Sequence, residues 1–283
     1  MRLVTYERGG QRSTGVLTSA GVIDLPSASG GTLPADMLTL LQQGDVAIER
    51  AKSAAATGQA ISLADVRLCA PVPRPGKLIG IGLNYKDHAA EGGRETPRYP
   101  MIFTKATSAV IASGEPIRIP KVTQAVDFEG ELAVVIGKRA KDVPSAEALN
   151  YVAGYTLCND VSGRDYQQRS GPSAGKSFDT FAPLGPAIVT CDEVPDPHVL
   201  DIRTVVSGEE MQHSNTRHLI FTIPYLIDYL SHIFALEPGD VITTGTPAGV
   251  GVFRTPPRFL KPGDVVRIEV QGVGVLENPV VAS

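Results

Sequence analysis

The stretch Asp127-Phe128-Glu129-Gly130-Glu131 carries three carboxylates in five residues and runs into the apolar, β-branched segment Leu132-Ala133-Val134-Val135-Ile136. On a strand, side chains alternate faces, so this pattern predicts Glu129 and Glu131 on one face, roughly 7 Å apart. A second strand is expected at Tyr155-Thr156-Leu157-Cys158-Asn159, ending in Asp160. Upstream, Arg2 to Tyr6, Thr14 to Thr18 and Val22 to Leu25 read as short strands punctuated by Gly9-Gly10 and Gly21. Asp36 is placed to cap a helix carrying Met37, Leu38, Leu40 and Leu41, and an Ala-rich helix is expected from about Val46 to Ala56. The prolines of Pro71-Val72-Pro73-Arg74-Pro75 interrupt regular structure and predict a boundary between residues 1–70 and 71–283. Beyond it, Lys77 to Leu83 reads as a short buried strand, and Met101 to Ala112 as strand-like sequence with Lys105 inside it. Ile223, Leu226, Ile227, Leu230, Ile233 and Phe234 form the stripe of an amphipathic helix. Leu236-Glu237-Pro238-Gly239-Asp240-Val241 and Leu260-Lys261-Pro262-Gly263-Asp264-Val265 are two copies of one turn-then-strand signal.

Composition narrows the class. At 283 residues with 42% hydrophobic and 20% charged positions, the chain has the make-up of a globular protein of one or two domains. The 29 glycines and 22 prolines favour many short strands joined by tight turns. A net charge of −4 argues against a nucleic acid or an anionic membrane as partner. No apolar run approaches bilayer length, and the N-terminus lacks the apolar block of a signal peptide. Cys69, Cys158 and Cys191 are odd in number and widely spaced, which fits reduced thiols in a cytoplasmic protein.

Four sets of residues could carry chemistry. Glu129, Glu131 and Asp160 would make an all-oxygen site for a hard divalent cation, Mg²⁺ or Mn²⁺. From charge spacing alone, the commoner explanation is an edge strand with solvated acids. His88 and Glu91 stand three apart, so on a helical turn the carboxylate can fix the imidazole tautomer and raise its basicity. A surface His–Glu pair explains the same spacing more simply. Gly92-Gly93 behind the pair reads as a possible hinge. The loop Ser170 to Asp179 holds Lys176, but Gly171 and Gly175 lie too close for a phosphate loop. Lys176 reads either as a solvated charge or as a cation offsetting the three carboxylates. In Thr243 to Gly251, three glycines and the threonines would let main-chain N–H groups and Thr246 meet an anionic ligand, a weak pattern taken alone.

Taken in order, the strand Gly80-Ile81-Gly82 leading to Asn84-Tyr85, the His88/Glu91 pair, Asp127/Glu129/Glu131, Asn159-Asp160 with Ser162, Arg164, Asp165 and Gln167, Gly175-Lys176-Ser177, and Thr244-Gly245-Thr246-Pro247 with Gly249 and Gly251 resemble the fumarylacetoacetate hydrolase family. The resemblance covers roughly residues 72 to 283, and residues 1–70 resemble the small N-terminal domain of its bacterial branch. It implies an α+β, mostly β fold: a β-roll or sandwich catalytic domain (71–283) beside a small N-terminal α/β domain (1–70), usually as a homodimer. Carried over by position, it implies Glu129, Glu131 and Asp160 as Mg²⁺ or Mn²⁺ ligands. His88, Glu91 and Lys176 are then catalytic, on or beside a lid, and Arg164, Gln167 and Thr246 bind substrate. Sugar-acid diketo hydrolases of the family carry a Trp and a second basic residue before Gly-Lys-Ser. Here that stretch is Pro172-Ser173-Ala174 and the chain has no Trp, so a substrate tail held by those groups is not expected. Many relatives also have Lys-Pro where this chain has Lys105-Ala106.

The implied activity is metal-dependent hydrolysis of the C–C bond in a 2,4-dioxo acid, an acylpyruvate or fumarylacetoacetate-like substrate, giving pyruvate and a carboxylic acid. The same metal-enolate chemistry serves oxaloacetate decarboxylation and isomerisation of 2-hydroxyhepta-2,4-diene-1,7-dioate. A catalytically idle binding protein is the alternative of another class, and the retained triad and His88–Glu91 pair argue against it.

Overall fold

The computed structural model describes residues 1–283. Short strands separated by glycine and proline turns assemble into one large mixed sheet, a five-stranded sheet and a two-stranded ribbon. In the large sheet the spatial order is Ala60–Ile61, Gly21–Asp24, Gln11–Thr18, Arg2–Arg8, Ala182–Thr190, Val152–Asn159, Gly130–Ile136, Val241–Thr243, Leu78–Gly82 and Met101–Thr104. Most neighbours are antiparallel, but Val241–Thr243 runs parallel to Leu78–Gly82. The five-stranded sheet runs Glu209–Asn215, Asp201–Val206, Val265–Val270, Gly274–Ala282 and Ile117–Ile119. The fold is thus mixed and mostly sheet, as expected.

The Gly130–Ile136 strand is buried at every position. Strand alternation sends Leu132, Val134 and Ile136 into the core shared with the five-stranded sheet, while Ala133 and Val135 enter a second core under the N-terminal helices. Gly130 is required by close approach: a Cβ there would lie 2.2 Å from Thr204 Oγ1, on the facing sheet. Residues 1–70 are joined to the rest through this architecture. Leu3 pairs with Ile188 in the large sheet, and Leu3, Leu40 and Ala51 share a core with Leu78, Ala133 and Leu184.

Local signals translate closely into elements. The Asp36 carboxylate accepts from Thr39 N at 2.8 Å and caps Met37–Gln42, and Gly44–Thr57 buries Ala47, Ala51 and Ala54. The duplicated turn closes the same way twice. Asp240 Oδ2 accepts from Glu237 N at 2.7 Å and Asp264 Oδ2 from Lys261 N at 2.9 Å, with Gly239 and Gly263 at positive φ. Three expectations need correction. The Ile223–Ile233 helix ends before Phe234, and Ile233 is 55% exposed although Leu230 and Phe234 on either side of it pack on the core. The Met101 strand stops at Thr104, so Lys105 lies outside it. Asp127 to Ile136 is two strands, with Phe128 and Glu129 in the break between them. No helix is long and apolar enough to cross a membrane.

Candidate active site

The strand break at Phe128-Glu129 builds the centre of the site. Glu129 N donates to Asn159 Oδ1 at 3.1 Å, and Asp160 N donates back to the Glu129 carbonyl at 2.9 Å, so the ladder that pairs Gly130 with Asn159 brings Asp160 beside Glu129. One oxygen from each of Glu129, Glu131 and Asp160 lies within 4.8 Å of the others, and all three residues are buried. Three cations converge on them, Lys105 and Lys176 buried and Arg164 partly so. Lys176 Nζ is 2.7 Å from Glu129 Oε2 and 2.5 Å from Asp160 Oδ2. Lys105 Nζ is 2.5 Å from Asp160 Oδ1, and Arg164 links Glu129 Oε1 (2.7 Å) to Asp127 Oδ2 (2.8 Å).

These contacts leave Glu131 apart. Its partner is a main-chain donor, Gly245 N at 2.8 Å, and no cation pairs with it. Burial, reinforced by the charges of Asp160 and Glu129, pushes the Glu131 carboxyl well above the usual range. Glu129 goes the other way: burial raises it, but the Lys176 ammonium and Arg164 guanidinium outweigh burial and hold it below the usual range. At Lys176 the carboxylates of Asp160 and Glu129 overcome burial and keep the amine protonated. A compact, buried set of three carboxylates with one member short of a counter-charge, offering only oxygen donors, fits Mg²⁺ or Mn²⁺.

The same centre opens into a cavity of about 600 Å³ lined by His88, Glu129, Glu131, Arg164, Gln167, Lys176 and Thr246. His88 sits on the Lys86–Glu91 helix with its ring 5.8 Å from that of Phe253. Its Nδ1 is 3.4 Å from Glu91 Oε2, and Gly249 N donates to Glu91 Oε1 at 2.9 Å, so the carboxylate is held from both sides. Donation by Nδ1 leaves Nε2 as the basic nitrogen. Gln167 Oε1 accepts from Arg164 Nη1 at 3.1 Å. Thr246 Oγ1 donates to the Gly130 carbonyl at 3.0 Å and accepts from Gln212 Nε2 at 2.7 Å, so the hydroxyl is committed to the protein.

The loop after Thr243 departs from expectation. Its N–H groups do meet anions, but these are the protein's own: Gly245 binds Glu131, Gly249 binds Glu91, and Gly251 (2.8 Å) and Val252 (3.0 Å) bind Asp127. Asp127 and Lys105 stand within the motifs of the resemblance, but the sequence assigns neither a partner, because the Lys105–Asp160 contact spans 55 residues. Gln212 carries no sequence signal at all, since its partner Gly130 lies 82 residues away.

Residues 77–281 match the family model described as fumarylacetoacetate (FAA) hydrolase C-terminal. An oxaloacetate tautomerase, mitochondrial, of Xenopus laevis is 46% identical over 289 residues, covering 99% of this chain and 90% of that protein. A 5-carboxymethyl-2-hydroxymuconate delta-isomerase from Mycobacterium smegmatis is similar in structure, with a TM-score of 0.80 and 38% identity over 100% of this chain and 99% of that one. A maleylpyruvate hydrolase from Sphingobium sp. SYK-6, solved with manganese (II) ion and pyruvate, superposes with a TM-score of 0.84 at 32% identity, covering all of both chains.

Proposed function

The chain belongs to the fumarylacetoacetate hydrolase family, and from that premise we propose that it is a divalent-metal-dependent keto–enol tautomerase of short 2-oxo dicarboxylic acids such as oxaloacetate. The observation that carries this reading is one cavity faced by both a carboxylate triad short of a cation and a histidine oriented by a fixed carboxylate. Similarity to an oxaloacetate tautomerase over nine-tenths of both chains puts proton transfer ahead of the C–C hydrolysis that the resemblance implied.

Glu129, Glu131 and Asp160 are the residues that would hold Mg²⁺ or Mn²⁺, and a bound ion supplies Lewis acidity that draws charge from a 2-oxo group. His88 Nε2 takes a proton from C3 of the keto acid and returns one to the C2 oxygen, so a C–H bond breaks, an O–H bond forms and no water is consumed. Glu91 stabilises the imidazolium present between the two transfers. Lys176, held protonated, faces the oxygen on which negative charge grows, and Arg164 with Gln167 orients the acid. Phe103 and Phe253 line the cavity and limit bulk water around the proton being moved. By resemblance the enzyme works as a homodimer.

A second reading, cleavage of an acylpyruvate, is favoured by the likeness to a maleylpyruvate hydrolase and by a cavity roomier than a four-carbon acid needs. There His88 would activate water. Loss of enol-oxaloacetate ultraviolet absorbance, followed with Mg²⁺, Mn²⁺ or chelator, separates the readings when run beside pyruvate release from acylpyruvates. Metal-dependent ketonisation is expected to exceed cleavage, and His88→Ala to slow it by about 10²- to 10⁴-fold, the usual worth of a positioned proton-transfer group. Rapid cleavage with ketonisation no faster than in buffer would put hydrolysis first.

A further inference from the structure

The Lys86–Glu91 helix ends in a Schellman turn: Gly93 takes φ +61°, Gly93 N donates to the Ala90 carbonyl at 3.0 Å, and Arg94 N donates to the Ala89 carbonyl at 2.9 Å. This turn fixes the backbone of Arg94 to the helix that carries His88 and Glu91. The Arg94 side chain lines the same cavity as the carboxylate triad.

The cations around that cavity differ in one respect. Lys176, Arg164 and Lys105 are engaged by Glu129, Asp160 and Asp127, and the His88 ring stands against Glu91. The Arg94 guanidinium makes no ion pair and no hydrogen bond, and the residue is exposed at the cavity edge. Charge balance says what it could hold. The four carboxylates Asp127, Glu129, Glu131 and Asp160 against three cations leave one negative charge, which a divalent ion turns into one positive. A single substrate carboxylate neutralises that. A second carboxylate finds no further uncommitted cation at the centre, and Arg94 is the free positive charge on the cavity wall.

We propose that Arg94 is a specificity-determining residue that binds the distal carboxylate of a 2-oxo dicarboxylic acid, so that recognition of the second acid group is coupled to the helix bearing the His88–Glu91 pair. The proposal rests on the 2-oxo acid reading of the site and names the group that restricts it to dicarboxylates. A guanidinium presents paired N–H donors that match a carboxylate, whereas a lysine supplies a point charge only.

The test is binding of 2-oxoglutarate and of 2-oxopentanoate, equal in chain length and differing in the distal acid, to the Mg²⁺-loaded protein by calorimetry. The wild-type chain is expected to prefer the dicarboxylate. Arg94→Gln should weaken 2-oxoglutarate by roughly 10-fold or more, the effect of losing a charge-assisted pair, while moving 2-oxopentanoate less than about 2-fold. Arg94→Lys should restore part of the preference. A wild-type chain without preference for the dicarboxylate, or an Arg94→Gln chain that keeps it, overturns the proposal, as does equal weakening of both acids. Ketonisation of oxaloacetate is measured on the same samples. Lost binding preference in Arg94→Gln without wild-type ketonisation supports Arg94 and removes the tautomerase reading, whereas ketonisation with an unchanged preference does the reverse.

Discussion

Glu131 is the residue on which the charge of the site turns. Its neighbours are satisfied by lysine or arginine, and it is satisfied by one N–H from Gly245. A triad that needs a cation should lose it when one anionic ligand becomes neutral. Glu129→Gln and Asp160→Asn are each expected to weaken Mn²⁺ by at least ~10-fold in calorimetry, and retained affinity in both variants would remove these carboxylates from the metal site. The three acids were legible in the sequence through the order of motifs that resembles the family, since charge spacing alone favours solvated acids on an edge strand. The partner of Lys105 was not. Read as one more position in a strand, Lys105 is a fully buried ammonium against Asp160 Oδ1 and the Val161 carbonyl, a partnership that exists only after the sheet has formed.

At the scale of elements, two strands invite tests. Gly130 separates two of the acids and faces the second sheet, where Thr204 Oγ1 would stand 2.2 Å from a new Cβ and Ile268 Cγ1 3.3 Å. Gly130→Ala should therefore destabilise the fold by about 1–3 kcal/mol through overpacking, read as a lower urea midpoint. Thr204→Ala in the same background should recover part of the loss, and an unchanged midpoint in Gly130→Ala would contradict the packing. The N-terminal hairpins carry a titrating pair in which Tyr6 Oη donates to Asp24 Oδ1 at 2.6 Å. Burial, with the Asp24 contact, pushes the Tyr6 phenol up to about 12. The folded chain thus holds this proton more tightly than the unfolded chain does, so the contribution is complete below the unfolded value near 10 and is lost as pH rises toward 12. Tyr6→Phe should flatten the fall of thermal stability across that interval; an equally steep fall in the variant would place its origin elsewhere.

For the whole molecule, the question is whether residues 1–70 form a unit that can be removed. Pro71 to Gly76 reads as a boundary, yet the Arg2–Arg8 strand pairs with Ala182–Thr190, and Leu3 packs in one core with Leu184 and Ile188. A chain beginning at Pro71 would present Leu184 and Ile188 to water and leave the Ala182–Thr190 strand with a free edge where Arg2–Arg8 had paired. It is expected to aggregate, or to unfold well below the full-length chain in a thermal scan; a soluble, cooperatively unfolding 71–283 would show that this part folds without the first 70 residues. The sequence by itself determined the turns and the helix caps, because each depends on residues within a few positions of one another, and it determined the family and the acids of the centre through the order of several short motifs along the chain. Tertiary structure alone decided which charges neutralise which, that the loop after Thr243 would turn its N–H groups on Glu131, Glu91 and Asp127, and that an N-terminal strand would complete the main sheet. Those are contacts between groups tens to hundreds of residues apart, and their energy comes from shared burial and hydrogen bonding that leave no periodic trace along the chain.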